Sequence, residues 1–271
     1  MTLRPWLSLI LILGIGLPQS GSSMSSEFGS LPSLGWASQA KMIQSQIERS
    51  FHLRGGISRY QLRRMILEAM EVANPKKVGL ESEDPSRLAK EIIRSSRCYG
   101  VDPVVVTALI WRESNFKPAA RSERGAVGLT QMTNPGIREV LDRLSPDSPR
   151  RLGYLRNLVS RCHPSISVRV GEGEATPLQL FDWKESIQEH PAEAVAFGVL
   201  LLKINLASTR PRVIFGESAF DHYRGALERY NGDPAIKEQF AKDVMLLARR
   251  MWEPPTVALN ESKFLRLIRG L

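Results

Sequence analysis

The stretch PVVVTALIWRESNFKPAARSERGAVGLTQM, from Pro103 to Met132, decides how this chain is read. Its first half has helical spacing, with an apolar stripe through Val106, Leu109 and Ile110, because residues three and four apart share a helix face. The next position on that stripe is Glu113, where a further hydrophobe is expected. A carboxylate is therefore directed toward a core-facing groove. It also sits in the last turn, since Asn115, Phe116, Lys117 and Pro118 end the pattern, and a helix C-terminus disfavours negative charge. Burial and the helix dipole both push such a carboxyl upward, toward the range of a general acid.

The second half is polar, then glycine-rich. Ser122, Glu123 and Arg124 lead into Gly125-Ala126-Val127-Gly128-Leu129-Thr130-Gln131, where two glycines let backbone approach a ligand. Far downstream a helix over 217–230 carries Phe220, Tyr223, Leu227 and Tyr230 along one stripe, and Asn231-Gly232 turns the chain away. Together these segments resemble the soluble lytic transglycosylase (SLT-like) family, whose domains are similar to goose-type lysozyme. The residues that carry the resemblance are Glu113-Ser114 at a helix end, Ser122, the run from Gly125 to Gln131, and Tyr230-Asn231. The similarity extends over roughly 85–252. Thr130 stands where many relatives have Met, and Ala194 stands where Asn is common, one turn before Gly198.

The resemblance implies a mainly α, lysozyme-like catalytic domain that cleaves the β-1,4 bond between N-acetylmuramic acid and N-acetylglucosamine in peptidoglycan glycan strands. It implies a single acid/base, Glu113, which protonates the glycosidic oxygen and then takes the proton of the muramyl 6-hydroxyl as a 1,6-anhydro ring closes. Ser122 and Tyr230 would hold or polarise the substrate N-acetyl group, Gln131 and Asn231 would line the groove, and Ser114 would support the helix end. No cofactor is expected. Glycoside hydrolysis ordinarily uses two carboxylates, but Asp102 reads as a helix cap, Asp233 as a turn residue and Glu123 as a loop residue. Two other readings stay open: a muramidase of the same fold, in which water replaces the 6-hydroxyl, and a noncatalytic wall-binding or assembly protein.

Composition allows this reading, and the positive charge reads mainly as a solvated surface, with attraction to the carboxylates of peptidoglycan stem peptides secondary. The chain has 271 residues, 42% of them hydrophobic, and a net charge of +9, which is enough for one domain with appendages and favours acidic partners. No basic stripe interleaved with aromatics is present, so nucleic acid is not expected. A protein partner in the cell envelope or a secretion machine is compatible with the same domain. His52, His163, His190 and His222 lack ligand spacing, and no metal site is expected.

The start of the chain reads as an export signal over 1–23: a basic end at Met1 to Arg4, an apolar run from Trp6 to Leu17 too short to span a bilayer, and small residues Ser20 to Ser23. No cysteine follows the run, so the expected destination is the periplasm or cell envelope without a lipid anchor. A linker over 24–36, an N-terminal helical extension over 37–83 with helices at 37–51 and 58–72, a catalytic domain over 84–253 and a basic tail over 254–271 complete the chain. Within the domain, Asp84-Pro85, Asp102-Pro103 and Asn134-Pro135 each pair a cap with proline, the signature of a helix start. Residues 144–190 are read as a small insertion near the groove, with Ile166, Val168 and Val170 alternating as one strand. Pro191 opens the buried central helix through Val195, Val199, Leu202 and Leu206. Cys98 and Cys162, in an oxidising compartment, permit a disulfide that would pin the insertion to the first domain helix.

Overall fold

The computed structural model describes residues 58–79, 84–171, 175–209 and 223–252. Ten helices run through them: α1 Arg59–Ala73, α2 Pro85–Tyr99, α3 Pro103–Ser114, α4 Asn134–Leu144, α5 Gly153–Cys162, α6 Pro164–Arg169, α7 Pro177–Glu189, α8 Pro191–Ser208, α9 Arg224–Asn231 and α10 Lys237–Trp252. The signal segment, the helix expected over 37–51, the stripe position Phe220 and the basic tail lie outside the described residues.

Each helix start follows from a local side chain. Ser58 and Gln61 form a reciprocal capping box at α1, Asp84 accepts from the Ser86 amide at 2.8 Å, and Asp102 accepts from the Val104 amide at 2.8 Å. Caps of this kind satisfy amides that have no partner inside the helix and contribute about 1 kcal/mol each. At α4 the cap is Thr133, which accepts from the Gly136 amide at 3.3 Å, and Asn134 is the first helical residue. The cap therefore falls one residue before the expected Asn134, since the threonine hydroxyl is as good an acceptor for these amides.

The core is built on α8, whose residues from Ala194 to Leu206 are all buried. It is long and apolar enough to cross a membrane by length and composition, but α2, α4, α7 and α9 pack around it. A helix that is apolar all round is satisfied equally by a protein interior. Helix α3 packs against α2 and α10, and α9 against α10. Helix α1 lies on α2 and α3 through Leu62, Ile66, Ala69 and Met70. Each large side chain buried there contributes on the order of 2 kcal/mol, so this part of the N-terminal extension braces the domain.

Among the described residues there is no strand, only two isolated bridges in the loop after α3, Arg121 with Val127 and Val127 with Met132. The expected strand of Ile166, Val168 and Val170 is instead the short helix α6 and its end. Ile166 is fully buried and Val170 nearly so, while Val168 is 85% exposed. A strand would put all three on one face, whereas a helix puts residues four apart together and turns the middle one out. His163-Pro164 favours the helical alternative, because proline is pre-set for a first turn.

Cys98 and Cys162 are joined, with Cα atoms 5.9 Å apart, which ties α5 to α2. Beside the bridge, the Arg94 guanidinium donates to the Cys162 carbonyl at 2.6 Å. His163 is buried between Tyr99 and Glu91, 2.6 Å from the phenol oxygen and 3.0 Å from the carboxylate. Burial alone would raise the Glu91 carboxyl, but hydrogen bonds from His163, Arg94 and Ser95 outweigh it and hold the carboxyl at about 2. The insertion is thus fastened covalently and by a buried polar network.

Candidate active site

Glu113 ends α3 one residue before the helix stops. The stop is enforced by two successive left-handed residues, Asn115 at φ 51° and Phe116 at φ 56°. Asparagine tolerates this region and phenylalanine does not, so Phe116 is held there by its complete burial. Asn74, the C-cap residue of α1, donates to the Phe116 carbonyl at 3.3 Å. Nothing in the spacing of the sequence marks Asn74 for this task, because its partner is 42 residues away. Ser114 donates back to the Ile110 carbonyl at 3.1 Å and closes the last turn. Arg112, on the outer face, pairs with Asp243 of α10 at 3.1 Å.

The Glu113 carboxyl is half-buried and has no hydrogen bond or ion pair among the described residues. Desolvation pushes it up to about 8, against a smaller opposing pull from Arg112. At neutral pH it therefore carries a proton. Tyr230, from the end of α9, lies close enough that burial first and the Glu113 charge second both push its phenol upward. Its hydroxyl donates to the Thr130 carbonyl at 2.9 Å, with Met132 Sδ 3.7 Å away.

The loop between α3 and α4 is a tight double turn. The Ser122 amide donates to the Ala126 carbonyl at 3.0 Å, and the Ala126 amide donates to Ser122 Oγ at 3.0 Å. Ser122 itself stays exposed. Gln131 sits at φ 46° and donates from its amide to the carbonyls of Ala120 at 3.1 Å and Gly128 at 2.9 Å. Its side chain thus closes the loop from within. Gly128, at φ 77°, leaves no room for a side chain, since a Cβ would stand 3.2 Å from the Ile187 carbonyl oxygen. Thr130 is pressed onto α8: its hydroxyl donates to the Ala194 carbonyl at 2.8 Å, and a Cβ on Gly198 would fall 2.5 Å from its methyl group. The close approach of Gly198 and the exchange of Met for Thr at 130 belong to one packing arrangement.

The turn after Tyr230 joins the same loop. Asn231 accepts from the Asp233 amide at 3.2 Å, and Asp233 pairs with Arg124. Asp102 is buried at the start of α3, and Glu123 is exposed. Helix α7 runs along the other side, with Arg121 reaching Glu185 at 3.4 Å and also Gln188, and with Ile187 against Gly128. The insertion does border the loop, as expected, but as a helix. Among the described residues no group of His, Cys, Asp and Glu is arranged to hold a metal ion.

An acid-bearing helix end, a glycine-rich loop closed by Gln131 and pressed onto a buried central helix, and a tyrosine from a distant helix define a mainly α, lysozyme-like domain. In comparison with known proteins, residues 90–172 match the family described as Transglycosylase SLT domain. Over 67 residues the chain is 39% identical to "Membrane-bound lytic murein transglycosylase F" of Vibrio campbellii, covering 23% of this chain and 12% of the relative. The protein of the same name from Vibrio cholerae is 42% identical over 67 residues, covering 23% of this chain and 13% of the relative. The chain spans about an eighth of the length of the curated relatives it matches. No solved structure matches it.

Proposed function

We propose that the chain is an exported peptidoglycan lytic transglycosylase of the cell envelope, cleaving the β-1,4 bond between N-acetylmuramic acid and N-acetylglucosamine. The observation that carries this reading is the Glu113 carboxyl, unpaired and desolvated at the end of α3 and held at about 8 beside Tyr230. The Glu113 proton passes to the glycosidic oxygen as the bond from that oxygen to the muramyl anomeric carbon breaks. The muramyl 6-hydroxyl then attacks the anomeric carbon and gives its proton to the Glu113 carboxylate, which restores the acid. No water is consumed. The substrate N-acetyl group assists, and Ser122 and Tyr230 are the groups that hold it. The Tyr230 proton is engaged with the Thr130 carbonyl, so the phenol oxygen faces substrate as an acceptor and dipole. Gln131 shapes the loop, and Asn231 contacts sugar or fixes the acid.

A second carboxylate near Glu113 would favour a hydrolase that activates water. The three candidates have other tasks: Asp102 caps α3, Asp233 pairs with Arg124, and Glu123 is exposed. This supports the intramolecular route. Mass spectrometry of muropeptides released from purified sacculi tests it. Products ending in 1,6-anhydromuramic acid, lighter by one water than lysozyme products, are expected. Reducing-end muramic acid would assign hydrolysis, and no release at all would leave a binding protein.

A further inference from the structure

Three basic residues stand where α7 meets the loop after α3, and two of them are already matched by charge. Arg124 pairs with Asp233, and Arg121 with Glu185. The third, Lys184, is half-buried with its ammonium 3.4 Å from the place a Cβ would take on Gly125. No hydrogen bond or ion pair engages it among the described residues. Gly125 in turn donates to the Ser122 carbonyl at 2.9 Å, so the ammonium stands at the rim of the candidate active site. Earlier on α7, on the face shared with Glu185 and Gln188 that touches Arg121, Phe181 is 60% exposed one turn before Lys184 and Leu178 is 69% exposed nearly two turns before it.

From this geometry we propose that the α7 face of Phe181 and Lys184 is a subsite for the acidic peptide stem of the glycan strand. The proposal rests on the reading of the chain as a peptidoglycan-cleaving enzyme. N-acetylglucosamine is neutral and the lactyl carboxyl of N-acetylmuramic acid is an amide wherever a stem is attached, so the free carboxylates on a peptide-bearing strand belong to its peptides. A cation held without a partner at the groove edge therefore favours strands whose stems keep their free carboxylates. The ammonium takes a carboxylate, where a charge-assisted hydrogen bond is stronger than a neutral one, and the Phe181 ring offers apolar contact to short aliphatic side chains. The clamp of Arg121 on Glu185 and Gln188 keeps this wall in register with the loop.

The test uses the full chain carrying Glu113→Gln, so that ligand is retained, and compares its co-sedimentation with intact sacculi and with sacculi whose peptide carboxylates have been converted to neutral methylamides by carbodiimide coupling. With Lys184 present, affinity for the sacculi with free stem carboxylates should exceed that for the amidated sacculi by about fivefold at low salt. Lys184→Glu should abolish this preference, and Lys184→Arg should keep most of it. Equal affinity for both kinds of sacculi, or a preference that survives Lys184→Glu, overturns the subsite. If the unmutated chain cleaves neither substrate while the preference persists, the catalytic reading falls and the subsite stands.

Discussion

The Tyr230 hydroxyl donates to the main-chain carbonyl of Thr130 across 2.9 Å, joining two positions 100 residues apart. This bond sets the end of α9 against the loop after α3, with the phenol near enough to feel the Glu113 charge. It also means that the phenol is oriented before any substrate arrives, which lowers the cost of ordering the site during the reaction.

Replacing Tyr230 with Phe should lower kcat about tenfold and change KM little. The ring still fills its place, but the dipole beside the developing positive charge and the tether to Thr130 are lost. Initial rates of sacculus solubilisation over a range of substrate concentrations measure the split. A large rise in KM with kcat unchanged would assign Tyr230 to ground-state binding.

Glu113→Gln should reduce the rate by at least about a thousandfold, within the range supplied by general acid–base groups. For the unmutated chain, kcat/KM under the proposed function should fall as pH rises through about 8, where the acid loses its proton. Rates between pH 5 and pH 10 give the profile. A rate that holds steady beyond pH 9 would exclude Glu113 as the acid.

The same carboxyl affects stability. Its folded pKa of about 8 lies above the ordinary 4.5, so the folded state binds the extra proton and stability declines as pH rises from 4.5 to 8, then levels off. Glu113→Gln removes that penalty. The variant should match the wild type near pH 4 and exceed it by about 2–4 kcal/mol above pH 8, at 1.4 kcal/mol per unit discounted for partial exposure. Urea unfolding at both pH values measures the difference.

Gly198→Ala should destabilise the fold although alanine is the better helix former. The gain in propensity is about 1 kcal/mol, whereas the new Cβ would stand 2.5–2.8 Å from three atoms of Thr130 in a closed core, an overpacking that costs roughly 1–3 kcal/mol. Combining it with Thr130→Gly should shrink its cost, because all three clashing atoms are removed. Denaturant unfolding of the four proteins gives the coupling.

Removing the Cys98–Cys162 bridge should cost about 4 kcal/mol, the loop-closure entropy for a separation of 64 residues. Thermal unfolding with and without reductant measures it. An unchanged melting temperature would mean that the His163, Tyr99 and Glu91 network holds α5 to α2 unaided.

What the sequence determined by itself is local. The cap and proline pairs at Asp84 and Asp102 and the apolar run of α8 each act within a few residues and reappear in the structure, whereas the helix expected to bury one stripe through Val106, Leu109 and Ile110 is buried on every side from Pro103 to Trp111 before Glu113. The tertiary structure decided what depends on distant neighbours. A five-residue alternation at 166–170 fits a strand and a helical turn alike, and only the burial of Ile166 with Val170 chose the turn. Asn74 holding the turn at Phe116, Thr130 pressed onto Gly198, and Lys184 left unpaired beside Gly125 arise between segments far apart in the chain. Residue spacing has no record of such contacts. The Glu113 carboxyl belongs to both parts: its place on the stripe is local, and its pKa is set by the desolvation that the assembled domain imposes.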